Sequence, residues 1–157
     1  MKKLRIDLNI RECQLDELSE DDRAVVDVAI RATSLSYAPY SQFRVGACVK
    51  LADGELISGC NQENAAFPAG ICAERSAIFA AGASSPGKAV RTIAIAARDK
   101  DGELTAEPVS PCGTCRQVMI ETETRFGQPI HIILYGRNRI YVMDGISNLM
   151  PLSFTEF

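Results

Sequence analysis

The chain has 157 residues, of which 46% are hydrophobic, so it can bury a core without disulfide staples. Its formal net charge is −3 and its only basic cluster is a short run over 2–5, which excludes a nucleic-acid partner because phosphate-backbone binders need clustered positive charge. No stretch approaches the ~20 apolar residues of a membrane span or carries a signal-peptide core, so we expect no membrane partner and a cytoplasmic protein.

The first 61 residues predict a strand, a helix and a β-hairpin. Apolar and polar residues alternate over 4–10, which is typical of a half-buried strand, and we expect this strand to be an extra one in an N-terminal extension over 1–14. An apolar stripe that follows acidic residues predicts a helix over 21–35. Alternation over 43–51 and 56–61, with a turn signal at Asp53 and Gly54, predicts a hairpin.

The rest of the chain predicts a helix over 71–81, a second helix that opens with 111–115 and runs to about 126, and strands over 90–97, 130–135 and 140–143. The last two strands should be antiparallel neighbours, because the four residues between them are too few for a crossover. The sequence therefore predicts the α/β class. We expect a single domain over 1–157, with a mixed five-stranded sheet and helices on both faces in three α/β/α layers.

Three of the six cysteines lie at the predicted starts of two helices. Cys72 begins one helix, and Cys112 and Cys115 flank the start of the other. Helix starts favour thiolates, which zinc requires, and three protein ligands with an open fourth position are typical of catalytic zinc. Glu74 lies two residues after Cys72, where a carboxylate can take a proton from water and pass it on.

The Cys-x-x-Cys pair by itself would also suit a redox dithiol or half of a zinc ribbon. Its combination with Cys72, Glu74 and Pro111 instead matches the Cys-x-Glu…Pro-Cys-x-x-Cys pattern of zinc deaminases, in which the glutamate is the acid/base and not a ligand.

Four ordered motifs carry a family resemblance. They are Tyr-Ala-Pro-Tyr-Ser-x-Phe-x-Val-Gly-Ala over 37–47, Gly-Cys-Asn-x-Glu-Asn-Ala-Ala over 59–66, Gly-Ile-Cys-Ala-Glu-Arg over 70–75 and Ser-Pro-Cys-Gly-x-Cys-Arg-Gln over 110–117. With these motifs the chain resembles the cytidine deaminases of the small, homotetrameric, three-cysteine type. The resemblance covers the chain from about residue 21 to residue 154.

The resemblance implies hydrolytic deamination of cytidine and deoxycytidine to uridine and deoxyuridine plus ammonia, in pyrimidine salvage. It implies one zinc ion per subunit on Cys72, Cys112 and Cys115. Glu74 would be the catalytic residue that protonates ring N3 and then the departing ammonia. The family resemblance also implies a homotetramer with active sites at the subunit interfaces.

The resemblance assigns the substrate contacts as well. Asn61 and Glu63 would hold the ribose hydroxyls and Phe43 would pack on the pyrimidine, although the residues alone also allow a polar loop and a core aromatic. The other expected substrate contacts are Ala73, Ser110 through its backbone carbonyl, and Phe154, which would reach into a neighbour's active site. Arg75 follows Glu74 and would offset the net negative charge of three thiolates on Zn²⁺, with a surface ion pair as its alternative.

Two other functions remain open on the sequence. One is deamination of a related cytosine nucleoside such as blasticidin S, although enzymes of that type lack the Asn-x-Glu-Asn run found at 61–64. Polynucleotide editors usually carry histidine in place of Cys72 and a basic surface, and this chain has neither. The second, from a different class, is a non-catalytic zinc-binding scaffold, which Glu74 and the open fourth ligand position oppose.

Overall fold

A computed structural model describes residues 1–155. The strands are β1 (Arg11–Cys13), β2 (Arg44–Leu51), β3 (Leu56–Cys60), β4 (Val90–Arg98), β5 (His131–Tyr135) and β6 (Ile140–Asp144), and the helices are α1 (Glu20–Ala32), α2 (Ala73–Ser84) and α3 (Gly113–Phe126). The strands form one sheet in the order β1-β6-β5-β4-β2-β3. β4 and β5 are parallel, and the other neighbouring strands are antiparallel. No helix within residues 1–155 is both long enough and apolar enough to cross a membrane.

The sheet separates two apolar layers, so the predicted three-layer α/β/α class and mixed sheet are confirmed. α1 packs through Val25, Val26 and Ala29 on one face, against residues such as Ala94 and Ile133. α2 and α3 pack on the other face against the alternate residues of the same strands, because successive side chains of a strand point to opposite faces. Each fully buried Leu or Ile contributes ~1.5–3 kcal/mol to this core.

The sheet has six strands rather than the predicted five. The sixth is β1, which pairs with the edge strand β6 through Arg11↔Val142 and Cys13↔Ile140. The strand predicted over 4–10 is not found there: no strand is assigned to these residues, and Leu4 is 73% exposed. Alternation shows which residues could share a face, but a strand forms only where a neighbouring backbone supplies hydrogen-bond partners, and β6 supplies them from Arg11 onward.

The predicted antiparallel arrangement of the last two strands is confirmed by the pairs His131↔Asp144 and Tyr135↔Ile140.

The predicted helix over 21–35 ends earlier, at Ala32, and continues as a 3₁₀ turn over Thr33–Leu35. The Ser19 side chain caps α1 by accepting from the Asp22 N–H at 3.1 Å.

A glycine lets α1 approach the sheet. A Cβ on Gly46 in β2 would lie 2.1 Å from the Ala29 carbonyl oxygen and 2.6 Å from the Thr33 nitrogen. Both atoms belong to the main chain, so no side-chain rotamer could relieve the overlap. The packing of α1 on the sheet therefore requires glycine at this position.

We expect Gly46→Ala to destabilise the fold by about 1–3 kcal/mol, because the added methyl overpacks a backbone contact. The control is Gly82→Ala on the exposed face of α2, where a Cβ meets nothing within 4 Å and helix propensity should stabilise by ~0.5–1 kcal/mol. Urea unfolding followed by circular dichroism at one protein concentration measures both. Equal midpoints for the two variants would contradict the role of Gly46.

Candidate metal centre and substrate cavity

Three cysteine sulfurs meet where two helices begin. Cys72 is the N-cap of α2 and Cys112 is the N-cap of α3, with Cys115 in the first turn of α3. Cys72 Sγ lies 3.8 Å from Cys112 Sγ, which lies 3.5 Å from Cys115 Sγ. All three sulfur atoms lie within 4.8 Å of one another. The structure thus brings together all three ligands predicted from the sequence.

The three sulfurs fit a tetrahedral zinc ion. With Zn–S bonds of ~2.3 Å, thiolates on one tetrahedral ion lie ~3.8 Å apart, close to the spacings of this cluster. Arg75 adds a second indication of an anionic centre: its Nε is buried with no hydrogen-bond partner among residues 1–155, next to the sulfurs. Three protein donors leave a fourth coordination position for a small ligand.

Electrostatics favour a thiolate at Cys72. The Cys115 thiol donates to Cys72, and this bond together with Arg75 and Cys112 lowers the pKa of Cys72 to about 5. Arg75 Nη2 donates to Cys72 Sγ at 3.7 Å. The bond to Cys72 and burial raise the pKa of Cys115. Metal binding displaces the thiol protons that remain, because cysteine ligates as the thiolate.

Glu74 is a buried carboxyl beside this cluster. Glu74 is only 5% exposed and lies in the first turn of α2. Burial raises the pKa of Glu74, and the negative charge on Cys72 acts in the same direction. A carboxyl that binds its proton more firmly than usual, at the wall of a cavity, is suited to exchanging protons with a bound molecule.

The cluster opens into a cavity of about 570 Å³. This volume is of the size that takes a small organic ligand. The cavity lining includes Cys72, Glu74, Arg75 and Cys112 on the metal side. It also includes most of the residues predicted to touch substrate, which are Phe43, Asn61, Glu63 and Ser110.

Asn61 and Glu63 have hydrogen-bond partners within the chain. Asn61 Oδ1 accepts from the Val45 N–H at 2.7 Å and from the Ser36 hydroxyl, and its Nδ2 donates to the Phe43 carbonyl at 2.9 Å. Asn61 therefore fixes the backbone on both sides of Arg44, the first residue of β2. It also sets the position of Phe43, so one amide shapes the cavity as well as lining it.

Glu63 holds the loop before β2 in the same way. Its Oε2 accepts from the Tyr40 N–H at 2.9 Å and the Ser41 N–H at 3.2 Å, and its Oε1 accepts from the Ser41 hydroxyl. The Ser41 hydroxyl bond lowers the pKa of Glu63, which keeps the carboxylate charged. Ser41 and Tyr40 also line the cavity. They were not predicted as site residues, although they lie inside the motif over 37–47.

Two predicted substrate contacts lie elsewhere. Ala73 is the first residue of α2, between Cys72 and Glu74, and its side chain is fully buried in the core and does not line the cavity. Phe154 is 63% exposed, its carbonyl accepts from Gln117 Nε2 at 3.0 Å, and within residues 1–155 it does not line the cavity. Phe154 could therefore contact a substrate only in the cavity of a neighbouring subunit.

An α/β sheet whose helix starts bring three cysteines and a buried glutamate to one cavity defines the class of zinc-dependent deaminases. The chain belongs to the cytidine and deoxycytidylate deaminase family, whose zinc-binding region matches residues 19–126.

Individual proteins resemble the chain over much of its length. Cytidine deaminase from Halalkalibacterium halodurans is 44% identical over 101 residues, which are 64% of this chain and 71% of that protein. The crystal structure of cytidine deaminase from Burkholderia pseudomallei matches with a TM-score of 0.73 and 35% identity, over 87% of this chain and 100% of that one. Blasticidin-S deaminase from Bacillus cereus is 29% identical over 141 residues, 88% of this chain and 96% of that protein.

We expect Cys112→Ser to lower the zinc content of the purified protein from about one ion per chain to a small fraction of that, because the site loses a thiolate. Cys60→Ser is the matched control, since Cys60 is half-buried and lies outside the sulfur cluster. Elemental analysis after dialysis against a weak chelator measures the content. Equal zinc in both variants would contradict the assignment of Cys112.

Proposed function

We propose that the chain catalyses hydrolytic deamination of cytidine and deoxycytidine to uridine and deoxyuridine, with release of ammonia. The observation that carries this proposal is the buried Glu74 carboxyl beside three cysteine sulfurs at the wall of a nucleoside-sized cavity. The names of the relatives support a cytosine nucleoside as the substrate. We place the reaction in pyrimidine salvage in the cytoplasm.

Cys72, Cys112 and Cys115 hold one zinc ion per subunit in this proposal. When bound, the ion supplies a Lewis acid with one position open to water. The Arg75 guanidinium donates to Cys72 Sγ and offsets part of the thiolate charge, which otherwise weakens that Lewis acidity. The helix starts of α2 and α3 add partial positive charge on the same side.

Glu74 moves the protons in this proposal. It accepts a proton from the attacking water and delivers it to ring N3. It then takes the proton of the new C4 hydroxyl and delivers it to the exocyclic nitrogen, so that ammonia leaves and C4 becomes a carbonyl carbon. Burial supports this role, since a carboxyl with a raised pKa is a stronger base than an exposed one.

Asn61 and Glu63 bind the sugar in this proposal. One of the two N–H groups of Asn61 Nδ2 donates to the Phe43 carbonyl. The Glu63 carboxylate accepts three hydrogen bonds from Tyr40 and Ser41, which occupy three of its about four acceptor sites. One donor and one acceptor remain beside the same cavity. A sugar hydroxyl matches this pair because it can accept from the amide and donate to the carboxylate. Phe43 packs on the pyrimidine ring.

We propose that Glu74→Gln keeps zinc and loses deamination by about 10²- to 10⁴-fold, because the amide cannot shuttle the proton. Glu121→Gln on the exposed surface of α3 is the matched control and should retain full activity. Ammonia release and the ultraviolet change of the base, with cytidine and deoxycytidine in turn, measure the rate. Near-normal turnover in Glu74→Gln would remove Glu74 from the mechanism.

Assays of the unaltered chain identify the substrate. Conversion of cytidine or deoxycytidine that stops on chelation supports the proposal. Failure with both nucleosides, together with conversion of blasticidin S, would favour the related-substrate function. Zinc content without ammonia release from any of the three would favour a non-catalytic scaffold.

We further propose that the chain is one domain over 1–157, with 1–14 as an extension, and that it assembles as a homotetramer with active sites at subunit interfaces. Large aromatic side chains at the cavity mouth support this assembly: Tyr40 is 54% exposed and Phe67 is 78% exposed, and both line the cavity. Phe154, 63% exposed, would complete a neighbour's site.

Truncation after Ser153 should then raise KM for cytidine and weaken assembly together, because the aromatic contact to the neighbouring site is lost. A chain that ends after Phe154 is the control. Steady-state kinetics and sedimentation velocity of both truncated forms measure the two effects. Unchanged KM and unchanged mass in the shorter form would argue against the role of Phe154.

A further inference from the structure

The segment between β4 and α3, residues 99–112, forms one wall of the cavity and ends in a candidate zinc ligand. Val109, Ser110 and Cys112 all line the cavity. In the structure of residues 1–155, this segment contains neither a helix nor a strand. Its position therefore depends on contacts with other elements rather than on its own hydrogen-bond ladder.

The turn that joins β5 to β6, residues 136–139, supplies such contacts. β4 and β5 are parallel, so the segment that follows β4 and the turn that follows β5 leave the same edge of the sheet. The Arg137 N–H donates to the Thr105 carbonyl at 3.0 Å, and the Asn138 N–H donates to the Ala106 carbonyl at 2.9 Å. These bonds align the turn with the middle of the wall segment.

Gly136 brings the two backbones into contact. A Cβ at Gly136 would lie 2.6 Å from Glu107 C and 2.6 Å from Pro108 N. The overlap is with main-chain atoms, so the wall segment itself would have to move. Ser110 lies only two residues after Pro108, and a shift that begins at Pro108 therefore reaches the cavity.

Polar side chains also hold the turn over 136–139 against the wall segment. Glu107 Oε2 lies 2.9 Å from Arg139 Nε in an ion pair, and Glu107 Oε1 accepts from Asn138 Nδ2 at 3.3 Å. Arg139 Nη1 also donates to Glu12 Oε2 at 3.3 Å, and Gln14 Nε2 donates to the Asn138 carbonyl at 3.0 Å. The N-terminal strand β1 and the residue after it thus brace the turn from the side opposite the wall segment.

We propose that Gly136 is a positioning residue: by admitting close contact with residues 106–108 it sets the place of the cavity wall at Val109 and Ser110. Gly136 itself does not line the cavity, so it acts through the wall. The kinetic part of the inference rests on the proposed function, whereas the structural part does not.

The test is Gly136→Ala, with Gly87→Ala as the matched control, because a Cβ at Gly87 meets nothing within 4 Å. We expect faster amide hydrogen exchange in peptides that span 105–112 and unchanged zinc content. We also expect kcat/KM for cytidine to fall about ten- to hundredfold, since small misplacements of a binding wall are costly. The control should change none of these.

A second variant covers the case in which Gly136→Ala does not fold. Glu107→Ala removes the ion pair with Arg139 and the bond from Asn138 at a half-exposed position. Glu103→Ala is its control in the same segment, since the Glu103 carboxylate has no hydrogen bond or ion pair within residues 1–155. We expect faster exchange over 105–112 and a higher KM in Glu107→Ala alone.

Unchanged exchange over 105–112 in a folded Gly136→Ala variant overturns the proposal, whatever the activity. Faster exchange with kcat/KM within twofold of the unaltered enzyme also overturns it, as does loss of activity that merely follows loss of zinc. An unaltered chain that does not convert cytidine refutes the proposed function separately, and the exchange experiment then still decides whether Gly136 places the wall.

Discussion

Two helix starts meet on one face of the sheet, and the metal centre depends on this meeting. α2 and α3 share that face through buried residues that include Ala77 and Met119, so their first turns are fixed side by side. Cys72 and Cys112 occupy the N-cap positions without making side-chain caps, which leaves their sulfurs available. The partial positive charge of both helix starts and the Arg75 guanidinium then offset the concentrated negative charge of three thiolates.

The burial of Glu74 has a cost to folding, because a carboxyl taken out of water loses solvation. A core built for stability alone would place an apolar residue in this turn. Glu74 instead stays in the chain beside Cys72, with a raised pKa and access to the cavity. Well-packed neighbours in the same helix compensate for this unfavourable burial, namely Ala73, Ala77 and Ile78. Such local compensation is typical of functional sites.

The sequence predicted the metal centre because its residues are close in the chain or start helices, and helix starts have strong local signals. The layers and most bounds of the helices and strands could be predicted as well, because hydrophobic periodicity is also a local signal. The strand at Arg11–Cys13 could not be placed, because alternation over 4–10 says nothing about which backbone offers hydrogen-bond partners.

The substrate side of the cavity is harder to derive from sequence because its residues support one another across long separations. Asn61 fixes the backbone around Phe43, and Glu63 fixes Ser41. A polar residue in a motif is therefore not simply a ligand contact: its bonds to the loop before β2 decide how much of its hydrogen-bonding capacity is left. One N–H on Asn61 and about one acceptor site on Glu63 remain. In the proposed function, recognition of a sugar hydroxyl thus depends on the loop staying in place, so the same hydrogen bonds that hold the loop would also set the specificity of the cavity.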